Sequence, residues 1–513
     1  SDLAPIMEDI QCTEAEVLKL LKNVDISKAQ GPDELAPCLL KEGAEQLAPA
    51  LCKLFNLSLS SGVLPADWQK ANICPLYKKG NKQDPGNYRP ISLTSITCKI
   101  LERIICKRLI EHFNENNILC DNQHGFREKR SCETQLIEAI NDWSYNMESG
   151  SSVHIAFLDF AKAFDSVPHD LLRTKLEMYG VRSQNLEWIM NFLQNRYQRV
   201  VINGECSSWI KVKSGVPQGT ILGPILFLCF INDMPNNISS TIRLYADDCI
   251  LYRPIFNVDD CKILQNDLEV LSKWSETWML DFNVSKCKTM KMSRKLHDIT
   301  YNYSLNGQEL TNVKSEKYLG LVINDSLNWN DHCTDLYTKC NRIMGIIRRN
   351  FVNCPKSILK SLFESLIRSR LEYCCTAWDP YRNTHKERIE RIQKRYVRMM
   401  CKDWSTSYNV LLQNVKMNLL ENRRKYHRLV FYYKIVNNLI NVGEVNRCTR
   451  ANRIGRNDNT FKMHVPYART DYYMKSFYPQ TINEWNQLPQ TVVNSQSLNT
   501  FKSALVKHLN LDF

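Results

Sequence analysis

The sequence lacks the features that mark secreted, disulfide-bonded or membrane-spanning proteins. Its 20 cysteines are spread over 513 residues, with no Cys-x-x-Cys spacing, and Ser1 to Leu20 does not form a secretory leader. The longest apolar run, Ile221 to Ile231, is about half of the roughly 20 residues that a spanning helix needs. We therefore expect reduced thiols, no membrane span, and an intracellular location, nuclear or cytoplasmic.

An excess of acidic charge and a recognisable zinc pattern are also missing. The formal net charge is +13, which favours an anionic partner such as nucleic acid but says nothing about fold. His332, Cys333 and Cys340 are near one another in sequence, but their spacing fits no common zinc finger. We expect no zinc site.

The pattern of apolar residues predicts a chain that mixes strands and helices and then becomes helical. Thr13 to Glu16 has the form of a capping box and opens a helix. Strands with Asn-Gly turns at Asn203-Gly204 and Asn306-Gly307 predict hairpins, because this dipeptide accepts the positive φ of a tight turn. Strand signals fade from about Leu327. The fold class is therefore α+β with a helical C-terminal part.

Two adjacent carboxylates form the most informative local feature. Asp247 and Asp248 lie between two apolar strand-like runs, 241–244 and 249–252, and so predict a hairpin that carries acidic groups. Neighbouring carboxylates repel each other, and a chain tolerates them when a hard cation such as Mg²⁺ takes the charge. A third carboxylate, Asp159, stands at the end of the strand-like run 154–158. These three aspartates are the predicted metal ligands.

Five segments stand in a characteristic order along the chain. They are Asn87–Leu93, Gln123–Arg127, Phe157–Asp165, Gly215–Pro224 and Tyr245–Asp248. Together they resemble a reverse transcriptase, and the segments Gly31–Asp33, Gly62–Trp68, Arg382–Met400 and Phe477–Pro489 make the chain similar to non-LTR retrotransposons of the jockey and chicken-repeat type. The autonomous elements of this kind carry an N-terminal endonuclease, which we expect this chain to lack.

The resemblance implies a right-hand polymerase fold of fingers, palm and thumb with a mostly helical C-terminal extension. We predict a helical N-terminal extension over 1–57, fingers and palm over 58–323, a thumb-like helical domain over 324–400, and the C-terminal helical extension over 401–513.

The resemblance also assigns roles around the metal site. Asp159, Asp247 and Asp248 hold two Mg²⁺ ions that activate a primer 3′-hydroxyl and stabilise the leaving pyrophosphate. Lys286 matches a lysine near the pyrophosphate that serves as general acid, although taken by itself it would more often be an ordinary surface lysine. Asp165 is expected to hold its loop rather than to bind metal.

The same resemblance assigns residues that contact nucleotide and primer. Arg89 together with Lys78 or Lys79 clamps the triphosphate. Phe164 excludes a 2′-hydroxyl and so selects dNTPs, and Gln218 supports nucleotide and template. The segment Tyr318-Leu319-Gly320 corresponds to the turn that grips the primer end. The implied partners are template RNA, a DNA primer or target, and dNTPs.

Two basic segments follow in the helical region. A duplex could lie along either one, although solvated helix faces explain both nearly as well. The first contains Lys386, Arg388, Arg391, Lys394, Arg395 and Arg398. The second is Arg423–Arg428, with an aromatic residue that could stack on an unpaired base.

The sequence thus predicts an RNA-directed DNA polymerase. One alternative is a nucleic-acid-binding relic or domesticated protein that keeps the fold without polymerising. Another is an RNA-dependent RNA polymerase, which Phe164 disfavours. The sequence does not determine the oligomeric state, the template preference or the target site.

Overall fold

In the computed structural model, strands are confined to the first part of the described chain and helices occupy the remainder. The structure describes residues 4–295, 298–443, 449–451, 459 and 461–512. Within these ranges the last strand ends at Asn324, which agrees with the point where strand signals fade in the sequence. The predicted α+β class is confirmed.

The strands are β1 (Lys70–Tyr77), β2 (Tyr88–Leu93), β3 (Ser152–Leu158), β4 (Tyr197–Ile202), β5 (Glu205–Cys206), β6 (Ile210–Lys211), β7 (Thr241–Tyr245), β8 (Asp248–Ile255), β9 (Lys288–Met292), β10 (Ser304–Leu305), β11 (Gln308–Glu309), β12 (Thr311–Asn312), β13 (Ser315–Tyr318) and β14 (Leu321–Asn324).

The α-helices up to the last strand are α1 (Glu14–Lys22), α2 (Pro37–Glu42), α3 (Ala44–Ser61), α4 (Ile96–Glu115), α5 (Cys132–Glu148), α6 (Ala163–Ser166), α7 (His169–Met178), α8 (Ser183–Gln194), α9 (Leu222–Ile231) and α10 (Val258–Trp278). Short 3₁₀ turns cover Ala66–Gln69 and Pro85–Asn87.

The later α-helices are α11 (Asn330–Asn350), α12 (Lys356–Leu362), α13 (Ser369–Glu372), α14 (Cys375–Trp378), α15 (Asn383–Cys401), α16 (Tyr408–Val415), α17 (Leu420–Val436), α18 (Asp471–Met474), α19 (Phe477–Asn486), α20 (Gln490–Val493) and α21 (Leu498–His508). A π-helical segment, Phe363–Arg368, joins α12 to α13. Across the described residues, none of the helices combines the length and the apolar character needed to cross a membrane.

The central sheet has the strand order β12-β9-β3-β8-β7, and β3 lies in its middle. Every residue of β3 is buried. Its side chains alternate between two apolar cores, with Ile155 and Phe157 in one and Ala156 and Leu158 in the other. The first of these cores continues into the helices after Asn324, so the helical part shares a core with the sheet. The predicted boundaries at 57, 323 and 400 stay a prediction.

A second sheet has the strand order β2-β1-β4-β5, with β6 also paired to β4. Strand β1 pairs antiparallel with β2 and parallel with β4. The turn from β4 to β5 is the predicted Asn203-Gly204 hairpin, and both of its residues have positive φ. The predicted Asn306-Gly307 hairpin joins β10 to β11.

The second basic segment of the helical region is a buried ion network on α17. Arg424 and Arg428 are 1% and 3% exposed. Arg424 Nε lies 2.6 Å from Asp379 Oδ1, and Arg428 pairs both with Asp379 and, at 2.7 Å, with Glu484. Both interpretations of Arg423–Arg428, as a duplex-binding surface and as a solvated helix face, are therefore wrong for these two arginines.

The network depends on Asp379, which serves two guanidinium groups at once. Burial by itself raises the pKa of Asp379, but the positive charges of Arg428 and Arg424 hold this pKa below its usual value. A buried charge that loses its partner is strongly destabilising.

We expect Asp379→Ala to lower the free energy of unfolding by about 3–5 kcal/mol, because Arg424 and Arg428 then lose a shared buried carboxylate. Urea denaturation followed by circular dichroism measures this. Glu421→Ala, which removes the exposed partner of Lys386, is the matched control and should cost less than about 1 kcal/mol. Equal losses in the two variants would contradict the assignment.

Candidate active site

The three predicted metal ligands meet at one edge of the central sheet. Asp159 directly follows β3, whose last residue Leu158 is paired with Cys249 of β8. Asp247 lies in the turn between β7 and β8, and Asp248 is the first residue of β8. Because β3 and β8 are antiparallel neighbours, the end of β3 and the start of β8 bring all three carboxylates together.

The electrostatics of these aspartates reflect their mutual proximity. Burial, followed by the negative charges of Asp247 and Asp159, raises the pKa of Asp248 to about 6, although its side chain keeps some contact with solvent. Burial and Asp159 likewise raise the pKa of Asp247. The positive charges of Lys78 and Arg89 act in the opposite direction on both groups. The site therefore concentrates negative charge that nearby cations only partly offset.

Lys286 is the nearest cation to Asp159. The backbone N–H of Asn283 donates to the carbonyl oxygen of Asp159 (2.7 Å), and Lys286 follows in the same tight turn. Lys286 Nζ then lies 2.9 Å from Asp159 Oδ2. Lys286 is therefore part of the site rather than a remote surface lysine.

The donor set fits a hard divalent cation, because carboxylate oxygens are the ligands that Mg²⁺ prefers. Within the described ranges, however, no three His, Cys, Asp or Glu side chains already stand in a metal-holding arrangement. Asp159 is turned toward Lys286 in this conformation.

The turn that carries Asp247 is held by Gln123. Ala246, the first turn residue, has a φ of 53°, which is unfavourable for a residue with a side chain. Gln123 Oε1 accepts hydrogen bonds from the backbone N–H of Ala246 (2.9 Å) and of Gly125 (2.7 Å). In addition, the N–H of His124 donates to the carbonyl oxygen of Leu244 (2.8 Å).

A glycine is required at position 125 because the backbone of Ala246 lies directly against it. A Cβ at Gly125 would lie 2.4 Å from the backbone nitrogen of Ala246. The sequence analysis singled out Gln123–Arg127 as a motif but gave it no role. The glycine was the one local signal that a backbone approaches closely there.

A cleft of about 1620 Å³ opens beside the carboxylates. The candidate site residues that line it are Lys78, Arg89, Asp159, Phe164, Gln218, Asp247 and Lys286. Lys79 and Asp248 are not among its lining residues. Of the two lysines that the sequence left open, Lys78 is therefore the one that faces the cleft.

Phe164 lies between the core and the cleft. Its ring stacks on that of Phe227 in the buried helix α9, with centroids 4.4 Å apart and an interplanar angle of 18°. The backbone N–H of Val216 donates to the carbonyl oxygen of Phe164 (2.7 Å). Phe164 thus packs against the core and also lines the cleft.

Gln218 is fixed from both sides. Its Nε2 donates to Asp165 Oδ1 (3.0 Å), and its carbonyl oxygen accepts from the N–H of Ser92 in β2 (2.7 Å). Gly219 has a φ of 99°, and a Cβ there would lie 2.9 Å from the Ser92 oxygen. Asp165 thus holds the loop, in agreement with the expectation from the sequence.

The segment Tyr318-Leu319-Gly320 is the turn between β13 and β14. Tyr318 is buried, and its hydroxyl accepts from Gln135 Nε2 (2.8 Å). The Tyr373 hydroxyl donates to the carbonyl oxygen of Leu319 (3.1 Å). Gly320 lines a groove of about 380 Å³ that also contains Lys317 and Arg370. Of the three residues, Tyr318 therefore points inward.

The first basic segment of the helical region lies on α15 and is partly used in packing. Arg388 Nη1 donates to Thr334 Oγ1 (2.6 Å), and Arg395 Nη1 donates to Asn341 Oδ1 (3.1 Å), so both bind side chains of α11. Lys386 pairs with Glu421. Each of these three basic groups already has a partner within the protein.

His332, Cys333 and Cys340 lie buried on α11. His332 packs edge-on against Trp378, with ring centroids 4.6 Å apart, and its Nδ1 accepts from the N–H of Val322 (3.3 Å). Burial lowers the pKa of His332 to about 4. The imidazole is therefore a neutral part of the core.

Comparison with known proteins gives a consistent result. Residues 77–323 match the family described as reverse transcriptase (RNA-dependent DNA polymerase). The chain is 29% identical over 398 residues to the RNA-directed DNA polymerase from mobile element jockey of Drosophila melanogaster, covering 75% of this chain and 43% of that protein. It is 26% identical over 427 residues to the probable RNA-directed DNA polymerase from transposon X-element of the same species, covering 80% and 46%.

The chain thus spans less than half the length of these curated relatives. Among solved structures, apo telomerase from Candida tropicalis, truncated from its C-terminal domain, gives a TM-score of 0.36 at 11% identity over 54% of this chain and 58% of that chain. The family match, which covers the segment with all three aspartates, confirms both the resemblance recognised in the sequence and the expected right-hand polymerase fold.

We expect Gly125→Ala to lower the free energy of unfolding by about 1–3 kcal/mol, because its methyl group must displace the Ala246 backbone. Gly345→Ala is the matched control. A Cβ at Gly345 meets only Arg349 Nη1 at 3.4 Å, and alanine is favoured by about 0.5–1 kcal/mol in a helix interior. Thermal unfolding of both variants tests this, and a stable Gly125→Ala protein would argue against the close contact.

Proposed function

Residues 77–323 are a reverse transcriptase domain of the kind carried by non-LTR elements such as jockey, and from this premise we propose that the chain is an RNA-directed DNA polymerase. It extends a primer 3′-hydroxyl with dNTPs on an RNA template. The observation that carries this proposal is the convergence of Asp159, Asp247 and Asp248 at the edge of β3 and β8. In the described part of the chain, no observation favours the inactive relic.

Asp159, Asp247 and Asp248 would hold two Mg²⁺ ions, whose charge, when they are bound, stabilises the attacking and leaving oxygens of the displacement. The mutual proximity of these carboxylates supports the assignment, because a concentration of negative charge attracts a cation. Gln123 and the β7–β8 pairing orient Asp247 and Asp248 before any ligand arrives.

Lys286 carries its proton at Nζ beside Asp159. We assign it the role of general acid, which passes this proton to the leaving pyrophosphate. The support is its position in the cleft wall and the backbone hydrogen bond from Asn283 to Asp159, which keeps the turn next to the carboxylate. An ammonium group held there also offsets the charge of the incoming triphosphate.

Arg89 and one of the two lysines, Lys78 or Lys79, bind the triphosphate. Lys78 is favoured because it lines the cleft and its charge acts on Asp247 and Asp248. Arginine offers a planar fork of donors for phosphate oxygens, and lysine a compact charge. Gln218, held by Asp165 and Ser92, supports the nucleotide and the template base.

Template RNA and a DNA primer or target occupy the remainder of the cleft. The turn Tyr318-Leu319-Gly320 grips the primer end, with Leu319 and Gly320 nearest to the strand. We retain 1–57 as N-terminal extension, 58–323 as fingers and palm, 324–400 as thumb and 401–513 as C-terminal extension. Because dNTPs are intracellular substrates, we assign the activity to the nucleus or the cytoplasm.

The decisive experiment is primer extension on an RNA template with Mg²⁺ and dNTPs. We expect Asp247→Ala to reduce the rate at least about a thousandfold, because several kcal/mol of charge stabilisation depends on this ligand. Asp259→Ala, which removes an exposed carboxylate at the start of α10, should extend at the wild-type rate.

Binding of template–primer, measured by anisotropy in the absence of divalent metal, should be unchanged in Asp247→Ala. A wild-type chain that binds template–primer but extends it no faster than Asp247→Ala would refute the polymerase and leave the binding relic as the better account.

Phe164 generates a second expectation, because a ring packed against Phe227 at the cleft wall would exclude a 2′-hydroxyl from a sugar bound next to it. We expect Phe164→Ala to lower the preference for dNTPs over NTPs roughly tenfold or more, which is the usual effect of opening a pocket by a few atoms. Phe164→Tyr keeps the ring and is the control. If the wild type preferred NTPs, Phe164 would not select the sugar and the RNA polymerase would be favoured.

A further inference from the structure

Phe126 is a large apolar side chain that stands in the cleft and is 54% exposed. It also has a φ of 54°. An aromatic residue in the left-handed region is a genuine outlier, and such residues cluster where a ligand is held. Neither the exposure nor the backbone conformation of Phe126 is explained by packing in the core.

The chain anchors Phe126 from both sides. Upstream, Gly125 is pressed against the Ala246 backbone and its N–H is bound by Gln123. Downstream, Arg127 Nη1 donates to the carbonyl oxygen of Cys120 (2.6 Å). With both neighbours tied to other elements, the backbone of Phe126 cannot relax to a right-handed conformation without breaking these contacts.

Three aromatic rings lead from the core into the cleft. Phe227 is buried in α9, Phe164 stacks on it, and Phe126 meets Phe164 edge-on with ring centroids 6.5 Å apart and an interplanar angle of 80°. Phe126 is the last ring of this row, and about half of it is exposed in the cleft. An aromatic face presented in a cleft lined by Lys78 and Arg89 suits a ligand that has both a flat base and phosphate groups.

We infer that Phe126 is a further substrate-binding residue that contacts the incoming nucleotide and stacks against it beside Phe164. This inference rests on the proposed polymerase function. The segment Gln123–Arg127 then serves a single site. Gln123 and Gly125 hold the turn that carries Asp247, and Phe126 forms part of the wall of the nucleotide pocket.

The test is single-nucleotide incorporation by the full chain on an RNA template with a DNA primer. We expect Phe126→Ala to raise KM for the dNTP roughly 5- to 150-fold, the usual effect of losing one base–aromatic contact, while kcat changes less than about threefold. Phe126→Tyr, which keeps the ring, should restore a KM near that of the wild type.

Phe256→Ala is the matched control, because Phe256 is 63% exposed but does not line the cleft. It should have wild-type constants. Phe126→Leu keeps most of the volume without a π face, so it tests the stacking contact even if Phe126→Ala folds poorly, and its KM should also rise.

Two results would overturn the inference. The first is an unchanged KM for dNTP in both Phe126→Ala and Phe126→Leu. The second is a loss of template–primer affinity in both variants with no change in that KM, which would show that Phe126 contacts the template instead. In either case a wild type that incorporates dNTPs still supports the polymerase. A wild type that incorporates no nucleotide refutes the proposed function itself, and this is seen before any variant is compared.

Discussion

The structure is organised around the electrostatic repulsion among three carboxylates that the sheet forces together. Asp159, Asp247 and Asp248 meet because β3 and β8 are antiparallel neighbours, and burial raises the pKa of the last two. Positively charged side chains around the site offset part of this repulsion. Lys286 pairs directly with Asp159, while the charges of Lys78 and Arg89, which also line the cleft, act on Asp247 and Asp248. The same unbalanced negative charge that disfavours the empty arrangement favours a divalent cation.

Rigidity at this edge comes from hydrogen bonds to backbone rather than from the carboxylates themselves. Gln123 accepts from the N–H of Ala246 in the strained turn, and the backbone N–H of Ser92 donates to the carbonyl oxygen of Gln218. Buried acceptors of this kind are costly to remove because their donors are left unsatisfied. The turn that carries Asp247 therefore depends on Gln123, a residue from a distant part of the chain.

The helical C-terminal part contributes to the same body. Val153, Ile155 and Phe157 of β3 share an apolar core with the helices that follow Asn324. Part of the charge in these helices is internal, since Arg424 and Arg428 are buried against Asp379 and Glu484. A run of arginines in the sequence therefore does not by itself indicate a nucleic-acid-binding surface, because the arginines can be paired with buried carboxylates from other segments. The groups that remain open, such as Phe126 and Lys78, lie in the cleft.

The sequence by itself determined the α+β class, the two Asn-Gly hairpins, the hairpin with Asp247 and Asp248, and the position of Asp159 at a strand end. These follow from local alternation of apolar residues and from turn chemistry, which act over a few residues. Only the tertiary structure decided that Gln123 holds a turn 123 positions away, that Arg428 is buried against residues 49 and 56 positions away, and that Lys78 rather than Lys79 faces the cleft. The reason is physical: burial and hydrogen-bond partners depend on contacts between remote segments, and a side chain's local sequence does not encode which remote group it will meet.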